Sequence, residues 1–352
     1  MERILETVAA RDQLTDSEKE GILGYSPLMD YPNFDFIEGV PVDYMHMLCI
    51  GVVKRLLQLT FRCGETRKRV TRRRLSNPTV YNAIVMKHKV PSEFSRRGRK
   101  LDLGVMKAEE FRNVVLFFFP IVLECIPRPE GEKERQLWST LAFQVRAYIL
   151  PDIEFKHVRG SQLQHCRHRF LTLFESLFGQ SNCSYNVHMM GHLSEVRSRG
   201  PLTETSTFAA ESYYGEMRNS YVPGTSSTGK QLLQNAYIKR QLPHDFCRKR
   251  TKFCAKDTQM SCNKYIYKFC DGDYHFFVIK KDLHNGFYEC ATQGRRRYRN
   301  AETPNLDWQS VGVFLLTAIA SDNVLINEKD ISGKAIVVMD LIITCPFNVL
   351  QE

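Results

Sequence analysis

"YHFFVIKKDLHNGFYECAT", residues 274–292, decides what the last quarter of the chain is. Aromatic and β-branched residues crowd both sides of Asn285-Gly286, and an Asn-Gly pair adopts the positive φ angles that a hairpin turn demands. Two further runs, "SVGVFLLTAIA" (310–320) and "KAIVVMDLIITCPFNVL" (334–350), carry the same enrichment. Residues 265–352 therefore read as a small β domain, preceded by a polar, cysteine-dotted linker over 237–264.

Upstream the apolar period lengthens. "MKAEEFRNVVLFFFPIVLECI" (106–126), "EKERQLWSTLAFQVRAYILP" (132–151) and "SQLQHCRHRFLTLFESLFG" (161–179) repeat aromatic and aliphatic residues every three or four positions. That spacing predicts three helices sharing a core, the first kinked or ended by Pro120. "NVHMMGHLSEVRSRGPL" (186–202) reads as another helix closed by Gly200-Pro201, and the run after Thr205 as a helix capped by Ser206 or Thr207. Near the start, residues 1–22 suggest a polar helix. Pro41 holds Val40 out of helical conformation, so Asp43 is placed to cap a helix from Tyr44 to Leu59.

With 43% hydrophobic and 25% charged residues among 352, the chain describes a soluble globular protein of two or three domains. No run is apolar enough for a signal peptide or a bilayer span, so no membrane partner is expected. Eleven unevenly spaced cysteines fit reduced intracellular thiols better than a disulfide framework. No nucleotide, kinase or nucleophile-elbow motif points to a small-molecule substrate. The net charge of +10 suits a polyanion. Arg67, Lys68, Arg69, Arg72, Arg73 and Arg74 fall within eight residues, and Arg96, Arg97, Arg99 and Lys100 follow. Arginine pairs with phosphate in bidentate fashion, which makes double-stranded DNA the expected partner, and a solvated loop or nuclear-import segment the alternative.

Two sites could carry chemistry. Asp43 and His46 lie three apart, on one helix face, where a carboxylate and an imidazole could address a phosphate together; the alternative is that Asp43 only caps the helix. Glu211, in "FAAESYYGEM", shares a face with Phe208, Ser212 and Gly215. A carboxylate at a core edge needs a partner or a metal, whereas on the surface it needs neither. His165, Cys166, His168, Cys183, His188 and His192, and farther on Cys247, Cys254, Cys262 and Cys270, contain no C-x-x-C or H-E-x-x-H spacing, so zinc is not expected. His188 and His192, four apart, can nonetheless reach one ligand.

Four stretches in order, "SPLMDYPNFDFIEGVPVDYMHMLCIGVVKRLL", "MKAEEFRNVVLFFFPIVL", "NVHMMGHLSEVRSRGPLTETSTFAAESYYGEM" and "VPGTSSTGKQLLQN", together resemble the EnSpm/CACTA-type DDE transposases over residues 22–236. The resemblance implies an RNase H-like core interrupted by a helical insertion. In that core two aspartates and a glutamate hold two Mg²⁺ or Mn²⁺ ions for DNA cleavage and strand transfer. The family's C/D-x-x-H motif matches Asp43 and His46, and its metal-binding glutamate matches Glu211. The strands bearing the two aspartates should precede Ser26, where 25 residues stand.

The expected fold is accordingly mainly α, and α+β overall once the β domain is counted. Remnants of a truncated RNase H-like core occupy 1–60 and 201–236, a helical insertion with the basic stretch 61–200, and the β domain 265–352. The expected function is a nuclear, transposase-derived DNA-binding protein that does not hold the metal ions and does not cut, with a partner, such as a second copy, covering the face that the missing sheet leaves apolar. Two alternatives stand beside it: a metal-dependent nuclease using Asp43, Glu211 and a third acid such as Asp35, and an adaptor acting through its β domain.

Overall fold

Pro120 sits inside an otherwise helical run, and the way the chain accommodates it organises the centre of the molecule. The computed structural model describes residues 30–31, 42–61, 78–88, 96, 98–219, 265–283 and 285–346. Helix α1, residues 44–61, begins as a wide π-helix over Tyr44–Val53 and tightens to an α-helix over Lys54–Phe61. Helix α2 is Pro78–Val85. Helix α3, residues 108–124, is α-helical at Ala108–Asn113, π-helical at Val114–Phe118 and α-helical again at Phe119–Glu124. The change of winding falls just before Pro120, which lacks the N–H that would serve the carbonyl of Leu116 in an unbroken α-helix.

Helix α4, Glu132–Ile149, runs through the middle of the core and is buried on nearly every side. A single turn, α5 (Asp152–Phe155), leads to α6 (Gly160–Phe178). Helix α7, residues 185–197, has a 3₁₀ middle at Met190–His192, and α8 is Phe208–Asn219. Trp138 of α4 donates its indole N–H to Thr60 Oγ1 at 3.0 Å, which ties α4 to α1.

The strands are β1 (Tyr265–Cys270), β2 (Asp273–Asp282), β3 (Phe287–Arg297), β4 (Val313–Ile319), β5 (Val324–Asn327), β6 (Gly333–Val338) and β7 (Leu341–Pro346). All pair antiparallel. Because β2 pairs with both β1 and β3, the order β1-β2-β3-β4-β7-β6 returns to β1 and closes a six-stranded barrel. The short β5 lies beside the first part of β3, Phe287 opposite Asn327. At the β2–β3 turn Gly286 has φ 83°, and Asn285 Oδ1 accepts from Phe287 N at 3.2 Å.

Tyr267, Tyr274, Phe276, Phe314, Ala335 and Ile342, from five strands, form one cluster and so fill the barrel interior. On the opposite strand faces Ile266, Phe277, Ile279, Tyr288 and Cys290 pack under Ile326 and Ile331. This alternation follows from side chains pointing to opposite faces along a strand.

The closed antiparallel barrel corrects the expected fold class. It is not an RNase H-like core, and no described residue of the expected remnants, 42–60 and 201–219, is in a strand. Residues 44–61 carry apolar residues at helical spacing and bury them, and 208–219 form a helix, so nothing draws either segment into a sheet. With eight helices and a barrel among the described residues, the architecture is α+β overall and includes the expected C-terminal β domain; what falls is the RNase H-like core.

Helices and barrel meet on fully buried Arg146 of α4. Its Nε and Nη2 donate to Val311 O at 2.9 and 2.8 Å, and Nη2 also to Thr344 O and Oγ1, both at 3.1 Å. Its Nη1 donates at 2.9 Å to Leu116 O, the carbonyl that Pro120, four residues on, cannot serve. Arg135, eleven residues earlier on the same helix and therefore close to three turns away, points along the same stripe. It donates to Ile126 O at 3.1 Å and to Leu123 O, and its Nε meets Glu302 at 2.6 Å. Arg128 pairs with the same carboxylate. Gly312, with φ 72°, leads into β4 so close to Thr344 that a side chain there would collide with it.

Glu154 of α5 reaches the aromatic cluster inside the barrel. Tyr267 donates to its Oε1 at 3.1 Å and Tyr274 to its Oε2 at 2.8 Å. Burial pushes the carboxyl up to about 7, against the opposing influence of the two tyrosine hydrogen bonds and the Arg146 charge. Burial also lowers Arg146 to about 10, which leaves it charged at neutral pH.

Removing Arg146 orphans three buried carbonyls, so Arg146→Ala is expected to lower unfolding stability by about 3 kcal/mol in urea titrations. Glu154 ionises near 4.5 when exposed and near 7 in the fold. Between those values the folded chain holds a proton that the unfolded chain has released, so stability is greatest on the acid side and falls as pH rises through the window. The loss is on the order of 3 kcal/mol. Glu154→Gln, measured by thermal unfolding from pH 5 to 8, should flatten that slope; an unchanged slope would show that another group titrates.

Candidate functional site

The Asp43 carboxylate collects five donors. Asp43 is extended (φ −76°, ψ 115°) just ahead of α1, where its Oδ1 accepts from Met45 N at 3.0 Å and its Oδ2 from His46 N at 3.2 Å. It thus caps the first turn of α1, as an N-terminal aspartate is suited to do. The same two oxygens also reach across to the start of α8. Thr207 N donates to Oδ1 at 3.0 Å and Thr207 Oγ1 to Oδ2 at 2.8 Å. The fifth contact is the imidazole of His46, whose Nδ1 lies against Oδ2 and 3.2 Å from Thr207 Oγ1. Burial raises the carboxyl, but the bonds from His46, Thr207 and Met45 outweigh it and hold Asp43 below its ordinary range.

Local packing explains why these segments meet. Tyr44, fully buried at the start of α1, meets the Phe208 ring edge-on at 6.1 Å. The guanidinium of Arg112 lies 4.7 Å over that ring. Phe208 opens α8 with its N–H on Ser206 Oγ at 3.2 Å, and Glu211 N donates to Thr207 O at 2.8 Å to complete the first turn. Either serine or threonine was expected as the cap. The structure uses both, and Thr207 has the additional tie to Asp43.

Asp43 and His46 are therefore together, as their spacing predicts. The Glu211 side chain is exposed one turn into α8, with no hydrogen-bond or ion-pair partner among the described residues. Phe208 is half-buried, so its face of α8 does not carry Glu211 into the core. Among the described residues no three His, Cys, Asp or Glu side chains converge on a metal position. Asp35 lies outside the described residues.

The basic segments divide likewise. Arg67, Lys68, Arg69, Arg72, Arg73, Arg74 and Arg97 lie outside the described residues. The Arg96 backbone is held by Glu109 and Asn113, Arg99 Nε meets buried Glu110 at 2.9 Å, and Lys100 is exposed. A basic surface that the sequence reading passed over lies on α1. Ile50, Gly51, Lys54, Arg55 and Gln58, with Ser181, Asn182 and Ser184 from the segment before α7, line an open groove of about 340 Å³. Asn182 orients the Arg55 guanidinium, and Asn182 is in turn fixed by its own bond to Phe178 O at 2.6 Å. The Lys-Arg pair stands in plain view in "GVVKRLL". Only the fold brings the two serines opposite it.

Of the candidate zinc ligands, Cys166 is buried in the core with its thiol pushed up to about 12 by that burial. Cys247, Cys254 and Cys262 lie outside the described residues.

One carboxylate caps α1 and ties it to Thr207 ahead of α8, so Asp43→Ala should destabilise by about 2 kcal/mol, about half from the cap and half from the tie. The carboxylate's contribution is present above its unfolded pKa and disappears as pH falls through the lower folded value. The gap in melting temperature between wild type and Asp43→Ala should therefore narrow below pH ~4. A gap that persists undiminished at pH 2.5 would assign the loss to packing alone.

No protein-family model, curated protein or solved structure matches this chain.

Proposed function

We propose that this protein binds double-stranded DNA along its basic face and does not itself cut the strands. The observation that carries this reading is the groove between α1 and the segment before α7, where Lys54 and Arg55 stand opposite Ser181 and Ser184. Cations offer charge-assisted bonds to phosphate oxygens, and hydroxyls and amides add neutral ones. The net charge of +10 gives the long-range attraction, and the Arg67–Arg74 cluster adds further cations along the chain. The resemblance to EnSpm/CACTA-type transposases favours the same class of partner and a nuclear location. Asp43 supports the second half of the proposal. An aspartate whose two oxygens already accept five protein donors is occupied as a structural tie, and a metal ion would have to displace those bonds.

Fluorescence anisotropy with a labelled duplex tests the binding. If six or more phosphates are neutralised, affinity should fall by about a thousandfold between 50 and 200 mM salt. Lys54→Glu/Arg55→Glu should weaken binding at least tenfold and make the salt slope shallower by about two. Affinity indifferent to both salt and these changes sinks the reading. Incubation of supercoiled plasmid with Mn²⁺ or Mg²⁺ should leave it intact. Nicking that Glu211→Gln abolishes would reinstate the nuclease.

A further inference from the structure

We infer that His188 and His192 form a two-histidine site for a zinc-like divalent cation on the outer face of α7. The helix is anchored by Val187, Met190 and Leu193, which are buried at 1%, 0% and 0% exposure. Residues 188, 192 and 195 therefore lie on the other side, where His188 and Glu195 are exposed and His192 is half-buried. Positions four apart on a helix are stacked neighbours. The two rings stand 5.1 Å apart between centroids, and their Nε2 atoms face each other at 3.3 Å.

That separation is what a shared metal requires. Two imidazole nitrogens bound to one tetrahedral Zn²⁺ at about 2.05 Å each lie about 3.3 Å from one another. The same separation is long for a hydrogen bond between ring nitrogens, which favour about 2.9–3.0 Å.

Glu195 sets the proton inventory. Its Oε1 lies 2.9 Å from His192 Nδ1. A carboxylate only accepts, so Nδ1 carries the hydrogen, and the tautomer with no second proton has its lone pair at Nε2, toward His188. A carboxylate behind a ligating histidine is the usual outer support of such metal sites. His188 completes the pair when its own hydrogen sits on Nδ1. Arg167 of α6 donates to Ser194 Oγ, next to Glu195 in the chain.

The chemistry of the donors selects the cation. Neutral imidazole suits Zn²⁺, and also Cu²⁺ and Ni²⁺, whereas Mg²⁺ and Ca²⁺ prefer oxygen. With two protein ligands, the remaining coordination positions belong to water or to a donor from another molecule. That is why no group of three ligating side chains is needed for this site.

Calorimetric titration of the full-length chain with ZnCl₂, and with MgCl₂ in parallel, tests the proposal. Wild type should take up one more equivalent of Zn²⁺ than His188→Ala/His192→Ala. Zn²⁺ should also raise the melting temperature of wild type more than that of the double variant. Glu195→Gln should keep the stoichiometry and weaken that one equivalent about tenfold. Mg²⁺ should give no saturable heat at this site. Counting the difference in equivalents separates this site from any zinc taken up by cysteines elsewhere. Equal stoichiometry and equal thermal response in wild type and double variant overturn the assignment. If the double variant loses its circular dichroism signal, His192→Gln replaces it, judged by the same criterion.

Discussion

A single buried guanidinium holds the two halves of this protein in register. Arg146 has no carboxylate among its hydrogen-bond partners, which are the carbonyls of Leu116, Val311 and Thr344 and the Thr344 hydroxyl. These carbonyls come from a helix broken by proline, from the residue ahead of Gly312 at the approach to β4, and from within strand β7. A charge in the interior is tolerated because nearly every N–H finds a strong acceptor, and the acceptors are tolerated because the charge is there. Helices α3 and α4 and the barrel are thus mutually dependent. The barrel and helices α1–α8 belong to one compact unit.

Much of this was legible in the residues. The helices over 106–126, 132–151 and 161–179 follow from apolar spacing, and the Asn285-Gly286 hairpin from turn chemistry. Asp43 as the cap of α1 was likewise one of the two readings of its spacing. Barrel closure was not legible, because it depends on β2 pairing with β1 on one side and β3 on the other while β6 returns to β1, joining Ile266 to Lys334. The expectation of a sheet remnant around Asp43 came from resemblance rather than from the residues themselves, which have the period of a helix. Arg146 was hidden for a related reason. In "LAFQVRAYIL" one arginine among apolar neighbours reads as a helix-surface residue until Pro120, twenty-six positions earlier, is seen to leave a carbonyl in need of a donor.

The candidate sites divide by the same logic. Asp43 and His46 are brought together by their own spacing, whereas Thr207 joins them only because Tyr44, Phe208 and Arg112 stack α8 onto α1. The groove at Lys54 and Arg55 likewise becomes visible only when Ser181 and Ser184 arrive from more than a hundred residues away. Short-range chemistry can be read along the chain; convergent chemistry needs the packing.

Closure of the barrel also bears on how other polypeptides could attach to it. Open sheets offer unpaired backbone donors and acceptors at their margins, and extended peptides or misfolded copies commonly annex them. Here the ring satisfies its own strands, and β5, the one strand described with a partner on a single side, is only Val324–Asn327. Four residues give a foreign strand little to grip. Association through this region therefore has to rely on side chains, which makes it selective, and leaves the fold poorly suited to nucleate fibrils.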